Sequence, residues 1–381
     1  MVSFRQDVAF LRKHGEVIVL SDARGGRVAL SAAYQGRVMS SAVGEDTRSL
    51  GWINRGFIES GKTGTQFDNY GGEDRFWLGP EGGQFGLYFP PGAPFSFDAW
   101  QTPHEMQEGV WATSDVSDHG ATFKRSMHVT NWSKTTFTVD VERTLHLLAR
   151  DDAASAFGFP TNLLDHVGFV GFESVNVIKN AGSAPWMEAT GLPSTWILAM
   201  FAPVADTRVV IPFAGGASGS PIVNDAYFGK VPADRLDVRD EDGFLVFRCD
   251  GKYRSKIGLG PARAKGALGS YSAEAKLLTV VQYRNEKSKD HLRKYVNSMW
   301  EQQKDPYGGD VVNSYNDGPP APGKPPLGGF YELETSSPAA PLAPNETLAH
   351  AHRTFHFVGD PDVLEPIAKH ALGVSLASVV R

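Results

Sequence analysis

Two carboxylates spaced two residues apart on one predicted strand are the best candidates for chemistry in this sequence. The segment Gly328–Phe357 has the pattern of a strand, a proline-rich turn and a second strand, and Glu332 and Glu334 fall on one face of its first strand. Sheet interiors disfavour unpaired charge, so a carboxylate pair on one face predicts a polar groove laid on the sheet. A groove of this kind suits the binding and chemistry of a sugar.

The spacing of Glu332 and Glu334 leaves three functions open. Acid/base chemistry near the anomeric carbon would need one of them as a base. A separation of roughly 7 Å along the strand is also close to that of paired carboxylates in inverting glycosidases, which favours a hydrolase or sugar lyase. A protein that only binds carbohydrate is the third possibility, and we predict a small-molecule carbohydrate as the partner in each case.

A second dense region, Gly71–Phe89, places charged and aromatic residues between two glycine pairs. Asp74 and Arg75 could bind sugar hydroxyls, because a guanidinium offers several donors and a carboxylate several acceptors. Trp77 could stack on a ring face. The alternative is a glycine-rich turn with a surface Arg–Asp pair. A phosphate-binding loop is not expected, because Gly82 and Gly83 precede a strand pattern and no GxGxxG is present.

His104 is a candidate acid, since a neutral histidine can donate or accept a proton near pH 7. The alternative is a histidine on a surface loop. Lys256 is a candidate for binding substrate, and it would need a lowered pKa to act as an acid near neutrality. Its alternative is an ordinary surface or salt-bridged lysine.

The end of the chain resembles the C-terminal signature of the galactose mutarotase-like proteins. The matching residues are the block Leu333-Glu334-Thr335, a proline-containing turn, Leu342, Pro344, Glu346, Thr347 and a closing strand. The resemblance implies a supersandwich of two large β-sheets, with Glu334 as the general base at a sugar ring. It also implies sugar-site roles for Arg75 and for His104, which follows about thirty residues later.

One part of that family pattern is missing. Mutarotases carry a second histidine, the general acid, after a central strand, and the corresponding stretch Phe172–Trp186 contains no histidine. Asn176 in this stretch could bind a sugar hydroxyl but could not supply the proton. His104, Lys256 or Tyr253 would have to supply it. The stretches Ser49–Gly61 and Gly71–Gly83 resemble a bacterial family of the same superfamily, which implies the fold but no particular reaction.

Three histidines, His350, His352 and His356, share one face of the last predicted strand. Histidines two apart on a strand can bind a metal, but such a row is more often a solvated sheet face. The sequence contains neither HExxH nor an EF-hand loop. We therefore predict no metal and no cofactor.

The composition and net charge of the chain limit the kinds of partner and location to expect. The 381 residues carry a net charge of −6, which argues against nucleic acid or an anionic membrane as the main partner. The single cysteine, Cys249, excludes an intramolecular disulfide. No signal-peptide core and no apolar run of membrane-spanning length is present, so a cytoplasmic location is expected. The oligomeric state stays open.

Short alternating runs separated by glycine and proline predict an all-β fold. We expect one domain over residues 1–381, a large antiparallel β-sandwich with short N- and C-terminal helices, the latter within 360–381. The clearest strand is Thr135–Leu148; the other runs are Glu16–Val43, Val167–Ile178, Thr195–Phe201, Thr207–Phe213, Phe244–Phe247 and Lys276–Tyr283. Helical spacing predicts helices over Ser3–Lys13, His291–Gln303 and Asp360–Val380.

Overall fold

The computed structural model describes residues 2–64, 66–216, 219, 221–283 and 294–380, and it is built mainly of antiparallel β-strands. The strands are, in chain order, β1 (Ile18–Ser21), β2 (Arg27–Ser31), β3 (Arg37–Ala42), β4 (Arg75–Gly79), β5 (Ala112–Ser117), β6 (Gly120–Thr130), β7 (Thr136–Leu148), β8 (Gly168–Asn180), β9 (Ser194–Phe201), β10 (Arg208–Pro212), β11 (Leu236–Arg239), β12 (Phe244–Arg248), β13 (Ser255–Leu259), β14 (Ala267–Ser272), β15 (Leu277–Tyr283), β16 (Val312–Asn316), β17 (Tyr331–Ser336) and β18 (Thr347–Val358).

Within the described ranges these strands form three sheets. The largest has ten strands in the order β11-β12-β10-β14-β15-β18-β8-β7-β6-β5, the second has five in the order β13-β16-β17-β9-β4, and the third is β1-β2-β3. The predicted antiparallel β-sandwich is confirmed, and every strand run predicted from alternation overlaps an observed strand.

The ten-stranded and five-stranded sheets pack face to face. Tyr331 and Leu333 of β17 lie in a buried apolar cluster with Phe247 of β12 and Leu268 of β14. The Tyr331 hydroxyl also lies 2.8 Å from Ser270 Oγ of β14. Strand alternation therefore turns the odd-numbered residues of β17 into the sandwich and its two glutamates to the opposite face.

The helices are short and lie at the edges of the sandwich: α1 (Phe4–Leu11), α2 (Arg55–Ser60), α3 (His104–Gln107), α4 (Arg150–Phe157), α5 (Pro361–Leu372) and α6 (Leu376–Val379). Both terminal helices were predicted and both are present. Ser3 caps α1, because its hydroxyl accepts from the Gln6 amide while the Gln6 side chain accepts from the Ser3 amide. The C-terminal segment is broken at Gly373, whose φ of 71° ends α5.

The helix predicted over His291–Gln303 is wrong for its described part, and residues 291–293 lie outside the described residues. From Lys294 onward the backbone bonds distant segments: the Lys294 carbonyl accepts from Ala339, and the Asn297 amide donates to Pro306. The apolar residues at helical spacing, including Val296 and Trp300, instead pack against the core beside β4. Non-local contacts thus override the local pattern.

No helix among the described residues has the length and apolar character needed to cross a bilayer.

Candidate functional site

The floor of the candidate site is the outer face of the five-stranded sheet. Strand register brings its polar side chains together, because residues paired across neighbouring antiparallel strands point to the same face. The pairs that define this face are Arg75–Leu198, Leu198–Glu334, Glu332–Tyr315 and Tyr315–Lys256. Side chains from β4, β9, β17, β16 and β13 thereby meet in one surface although they are far apart in sequence.

A cleft of about 500 Å³ lies on this floor, a volume typical of small-molecule sites. Its charged lining includes Arg75, Glu81, Arg254, Lys256 and Glu332. Aromatic rings form most of the walls: Phe57, Phe67, Trp77, Phe97, Trp100, Trp196, Phe228, Trp300, Tyr315 and Phe330. Rings interleaved with ionisable groups give the cleft both flat apolar faces and hydrogen-bonding groups.

Arg75 and Glu332 form a buried hydrogen-bonded pair on the cleft floor. Arg75 Nη2 donates to Glu332 Oε1 at 3.0 Å, and both side chains are less than a tenth exposed. The guanidinium lies 3.9 Å from the centre of the Trp77 ring and 4.9 Å from that of Phe67. Arg75 Nε and Nη1 have no hydrogen-bond partner among the described residues. Two buried donors of Arg75 therefore have no acceptor among the described residues.

The Glu332 carboxyl favours its protonated form at neutral pH. Burial raises its pKa to about 8, and the charge of Glu334 pushes in the same direction while Arg75 opposes both. A carboxyl that holds its proton near pH 7 can donate it to a bound molecule.

Glu334 lies next to the cleft but is fully buried and does not line it. Its Oε2 accepts from Lys256 Nζ at 2.9 Å and from Trp196 Nε1 at 2.9 Å, while Oε1 has no partner among the described residues. Lys256 itself lines the cleft and lies 4.6 Å from the centre of the Trp196 ring. Burial lowers the pKa of Lys256, but the charges of Glu334 and Glu81 outweigh it, so the net shift is upward and Lys256 is charged.

Glu81 is a second carboxyl on the cleft lining, and sequence reasoning passed over it. Its Oε1 accepts from Trp100 Nε1 at 2.9 Å, and burial raises its pKa. Glu81 follows the strand that carries Arg75, so its place in the glycine-rich stretch Gly71–Gly83 was the available signal. That signal alone did not distinguish it from a turn carboxylate.

Asp317 holds one wall of the cleft in place. Its Oδ1 accepts from the Tyr315 hydroxyl at 3.0 Å, and its Oδ2 accepts from the amides of Gly328 and Gly329, both at 2.8 Å. The proline-rich stretch just before these glycines contributes Lys324 and Leu327 to the cleft lining. The carboxylate therefore ties that stretch to the end of β16.

His104 does not share this cleft. It opens the short helix α3, its side chain is 74% exposed, and its Nδ1 lies 2.8 Å from Glu108 Oε1. It lines a separate and smaller recess of about 290 Å³. The prediction that His104 lines one cleft with Arg75 is therefore wrong, and the surface alternative describes its position.

Asp74 and Asn176 lie between the two large sheets and not at the cleft. Asp74 pairs with Arg143 and accepts from Ser174 Oγ at 2.7 Å, and Asn176 Nδ2 donates to the same Oγ at 3.0 Å. Asp74 precedes Arg75 directly, so strand alternation sends the two side chains in opposite directions. The roles predicted for Asp74 and Asn176 in binding sugar are thus inconsistent with their positions.

The histidines of β18 are neither solvated nor arranged around a metal. His350 Nε2 and His352 Nδ1 lie 2.8 Å and 2.9 Å from Thr335 Oγ1, and His356 Nε2 lies 2.8 Å from Glu73 Oε2. Burial lowers the pKa of His350 to about 3 and that of His352 to about 4, so both are neutral at pH 7. No group of three or more histidine, cysteine or acidic residues among those described is arranged to hold a metal ion.

Comparisons with known proteins identify the fold. The model of a family of unknown function, DUF6786, matches residues 2–381. A search of curated proteins found no match. A solved candidate aldose 1-epimerase from Escherichia coli K12 matches with a TM-score of 0.51 at 11% identity, over 90% of this chain and 98% of its own.

Two further solved structures are similar over 90% of this chain. One is a galactose mutarotase-like protein from Lactobacillus casei, with a TM-score of 0.48, 12% identity and 100% of its own chain covered. The other is a galactose mutarotase related enzyme from Lactobacillus acidophilus, with a TM-score of 0.46, 8% identity and 98% of its own chain covered. The match to the Escherichia coli structure confirms the mutarotase-like fold implied by the C-terminal signature. Identities this low assign no role to any residue.

Proposed function

Because the chain belongs to the family of unknown function DUF6786, we propose its function from its own residues: the cleft binds a carbohydrate and exchanges protons with it. Glu332 is the proton donor. The reaction class that this arrangement supports best is acid/base chemistry at the anomeric region of a sugar, of the kind an aldose 1-epimerase performs.

The observation that carries the proposal is the surroundings of Arg75. Its Nε and Nη1 are buried donors without a partner among the described residues, and they lie beside the Glu332 carboxyl. The ring of Trp77 lies against the same guanidinium. A sugar presents hydroxyls at its edge and C–H groups on its face, so it would use the free donors, the carboxyl and the ring faces together.

Ring opening of a cyclic sugar requires one proton to leave the anomeric hydroxyl and one to reach the ring oxygen. Protonated Glu332 supplies the second proton as the C1–O5 bond breaks, which replaces the histidine missing from the mutarotase pattern. Glu81 accepts the first proton, because burial raises its pKa toward the range in which a carboxylate is an effective base. Reclosure on the other face of the aldehyde returns both protons and gives the second anomer.

Glu334 has a positioning role in this scheme. It is fully buried and bonded to Lys256 and Trp196, two residues that do line the cleft. It thereby fixes the ammonium of Lys256 and the indole of Trp196 against the ligand. This differs from the base role that the family resemblance implies for Glu334.

A carbohydrate-binding protein without turnover is the second candidate. The enclosed state of Glu334 favours it, since the residue that matches the mutarotase base is closed to a ligand in this structure. Glycoside hydrolysis would use the same cleft carboxyls, with Glu332 protonating the leaving oxygen and Glu81 activating water. The products distinguish the three candidate functions: epimerisation interconverts anomers, hydrolysis releases reducing ends, and a binding protein gives no product.

The test is a screen of mono- and disaccharides with wild type and Glu332→Gln. NMR exchange spectroscopy follows interconversion of anomers, and a reducing-end assay follows hydrolysis. We expect turnover to fall by roughly 100-fold or more in Glu332→Gln while sugar binding survives. Glu142→Gln, an exposed carboxylate of β7 paired with Lys124, is the matched control and should keep full activity. Sugar binding without turnover in wild type would establish the binding protein, and no sugar binding at all would refute the proposal.

A further inference from the structure

We propose that the bound carbohydrate carries an anionic group, a carboxylate or a phosphate, which Arg254 and Lys324 recognise. This inference rests on the proposed function and adds the class of substrate. It concerns the part of the cleft lined by Arg254, Phe228 and Lys324.

Some cations that line the cleft contact a carboxyl group, and others do not. Its cations are Arg75, Arg254, Lys256 and Lys324. Arg75 pairs with Glu332 and Lys256 pairs with Glu334. Arg254 and Lys324 form no ion pair with any residue that the structure describes. Arg254 and Lys324 are therefore the two cations of the cleft lining that contact no carboxyl group of the described residues.

No carboxylate of the described residues forms an ion pair with Arg254. Asp317 is the carboxylate of the adjacent wall, and its two oxygens accept instead from the Tyr315 hydroxyl and from two backbone amides. Arg254 interacts with the Tyr315 hydroxyl, which is a neutral group. An anionic ligand would give the guanidinium the charged acceptor that the protein withholds.

Arg254 is also held in position. Its guanidinium carbon lies 3.7 Å from the centre of the Phe228 ring and 5.8 Å from that of Phe97, and both rings line the cleft. Stacking on Phe228 covers one face of the planar cation and leaves its N–H edge for bidentate contact. A planar fork fixed in this way matches the geometry of a carboxylate or phosphate.

Arg254 and Lys256 belong to the same short segment. Arg254 immediately precedes β13 and lies two residues before Lys256, and both side chains line the cleft. A sugar bound beside Lys256 and Glu332 would therefore share the cleft with Arg254, which would meet the carboxylate of a uronate or the 6-phosphate of a hexose.

The experiment compares neutral, uronate and 6-phosphate forms of glucose, galactose and mannose. Quenching of tryptophan fluorescence reports binding, since four tryptophans line the cleft, and titration calorimetry checks the affinities. We expect one anionic form to bind roughly 10- to 100-fold more tightly than its neutral counterpart, the scale of one charge-assisted contact. The uronate and 6-phosphate arms identify which anion it is.

Substitutions show which residues cause the preference for an anionic sugar. Arg254→Gln should remove the preference for the anionic sugar while changing the affinity for the neutral sugar less than about twofold. Arg254→Lys should keep part of the preference, and Lys324→Gln, at an exposed position, should reduce it without disturbing the fold. Arg24→Gln removes the same charge from an exposed residue outside the cleft and should leave the preference intact.

Equal binding of neutral and anionic sugars by wild type would overturn this inference and leave the proposed function standing. An unchanged preference in both Arg254→Gln and Lys324→Gln would also overturn it. Failure of every sugar to bind would overturn the proposed function, and this inference with it.

Discussion

Glu334 of β17 accepts a hydrogen bond of 2.9 Å from Lys256 of β13, two strands away across the sheet, with both residues nearly or fully buried. The pair joins β17, which also carries Glu332, to β13 at the edge of the same sheet. Removing one partner from a buried pair leaves an uncompensated charge, so this contact should matter more for stability than an exposed pair does.

Lys256→Met should therefore lower the free energy of unfolding by about 3–5 kcal/mol, because Glu334 would remain buried without a cation. The double variant Lys256→Met/Glu334→Leu should recover a large part of that loss, since no charge would then be buried. Urea denaturation measures both. The exposed Lys124–Glu142 pair supplies the control: Lys124→Met should cause little change. A single variant as stable as wild type would show that the pair contributes nothing.

The pH dependence of turnover should report Glu332. If its protonated form donates to the sugar, kcat/KM should decline as the pH rises through about 8, where Glu332 loses its proton. Glu332→Gln should abolish this alkaline limb along with most of the activity. An unchanged limb in the residual activity of Glu332→Gln would assign it to another group.

The stability of the fold should also depend on the ionisation of Glu332, and it should decrease as the pH rises. The unfolded Glu332 ionises near its ordinary pKa of 4.5, whereas the folded one retains its proton to about pH 8. The unfolded state therefore binds fewer protons between these values, and Glu332 destabilises the fold progressively as the pH rises from about 4.5 to about 8. Relative to Glu332→Gln, wild type should lose stability across this window in urea titrations.

The paired histidines should make the protein sensitive to acid. His350 and His352 share the single Thr335 hydroxyl, which has one proton to donate, so the network suits neutral rings. Their folded pKa values of about 3 and 4 lie below the ordinary 6.5. The stability they give is complete above pH 6.5 and is lost as the pH falls toward 4.

The slope of unfolding free energy against pH in that window should approach about 3 kcal/mol per pH unit from these two protons. His352→Gln should remove about half of that slope. Denaturant midpoints measured from pH 7 to pH 4.5 check this. A slope indistinguishable between wild type and His352→Gln would contradict the assignment.

Asp317 should control the shape of the cleft more than its chemistry. Asp317→Ala removes the acceptor for the amides of Gly328 and Gly329, which frees the wall that carries Lys324 and Leu327. We expect sugar affinity to weaken by roughly tenfold, the loss of about one hydrogen bond to a charged group, with kcat much less affected. A fall in kcat without a change in KM would instead place Asp317 in the reaction.

Sequence patterns predicted the strand face that carries the site better than they predicted which side chains line the cleft. Alternation along β17 placed Glu332 and Glu334 on one face, and the structure confirms that face as the cleft side of the strand. Alternation could not show which glutamate the neighbouring strands would cover. That depends on Lys256 and Trp196, which come from strands whose register no local pattern specifies.

The other predictions that the structure contradicts failed for the same reason: the local sequence does not specify contacts between distant segments. Trp300 carried a helical pattern but serves as a cleft wall, because the backbone of its segment bonds residues 306–309 and Ala339 instead of forming helical hydrogen bonds. Asp74 and Arg75 were grouped by adjacency, although adjacent residues of a strand point to opposite faces. His104 was included for its order in the chain, which does not report proximity in space.

The most direct test of the account is a crystal structure of Glu332→Gln with a bound sugar from the screen. The sugar ring should lie on the outer face of the five-stranded sheet. A hydroxyl should be within hydrogen-bond distance of Arg75 Nε or Nη1, and the ring should contact a tryptophan of the cleft wall. A sugar bound anywhere else, with Arg75 Nε and Nη1 still lacking a hydrogen-bond partner, would contradict the central claim.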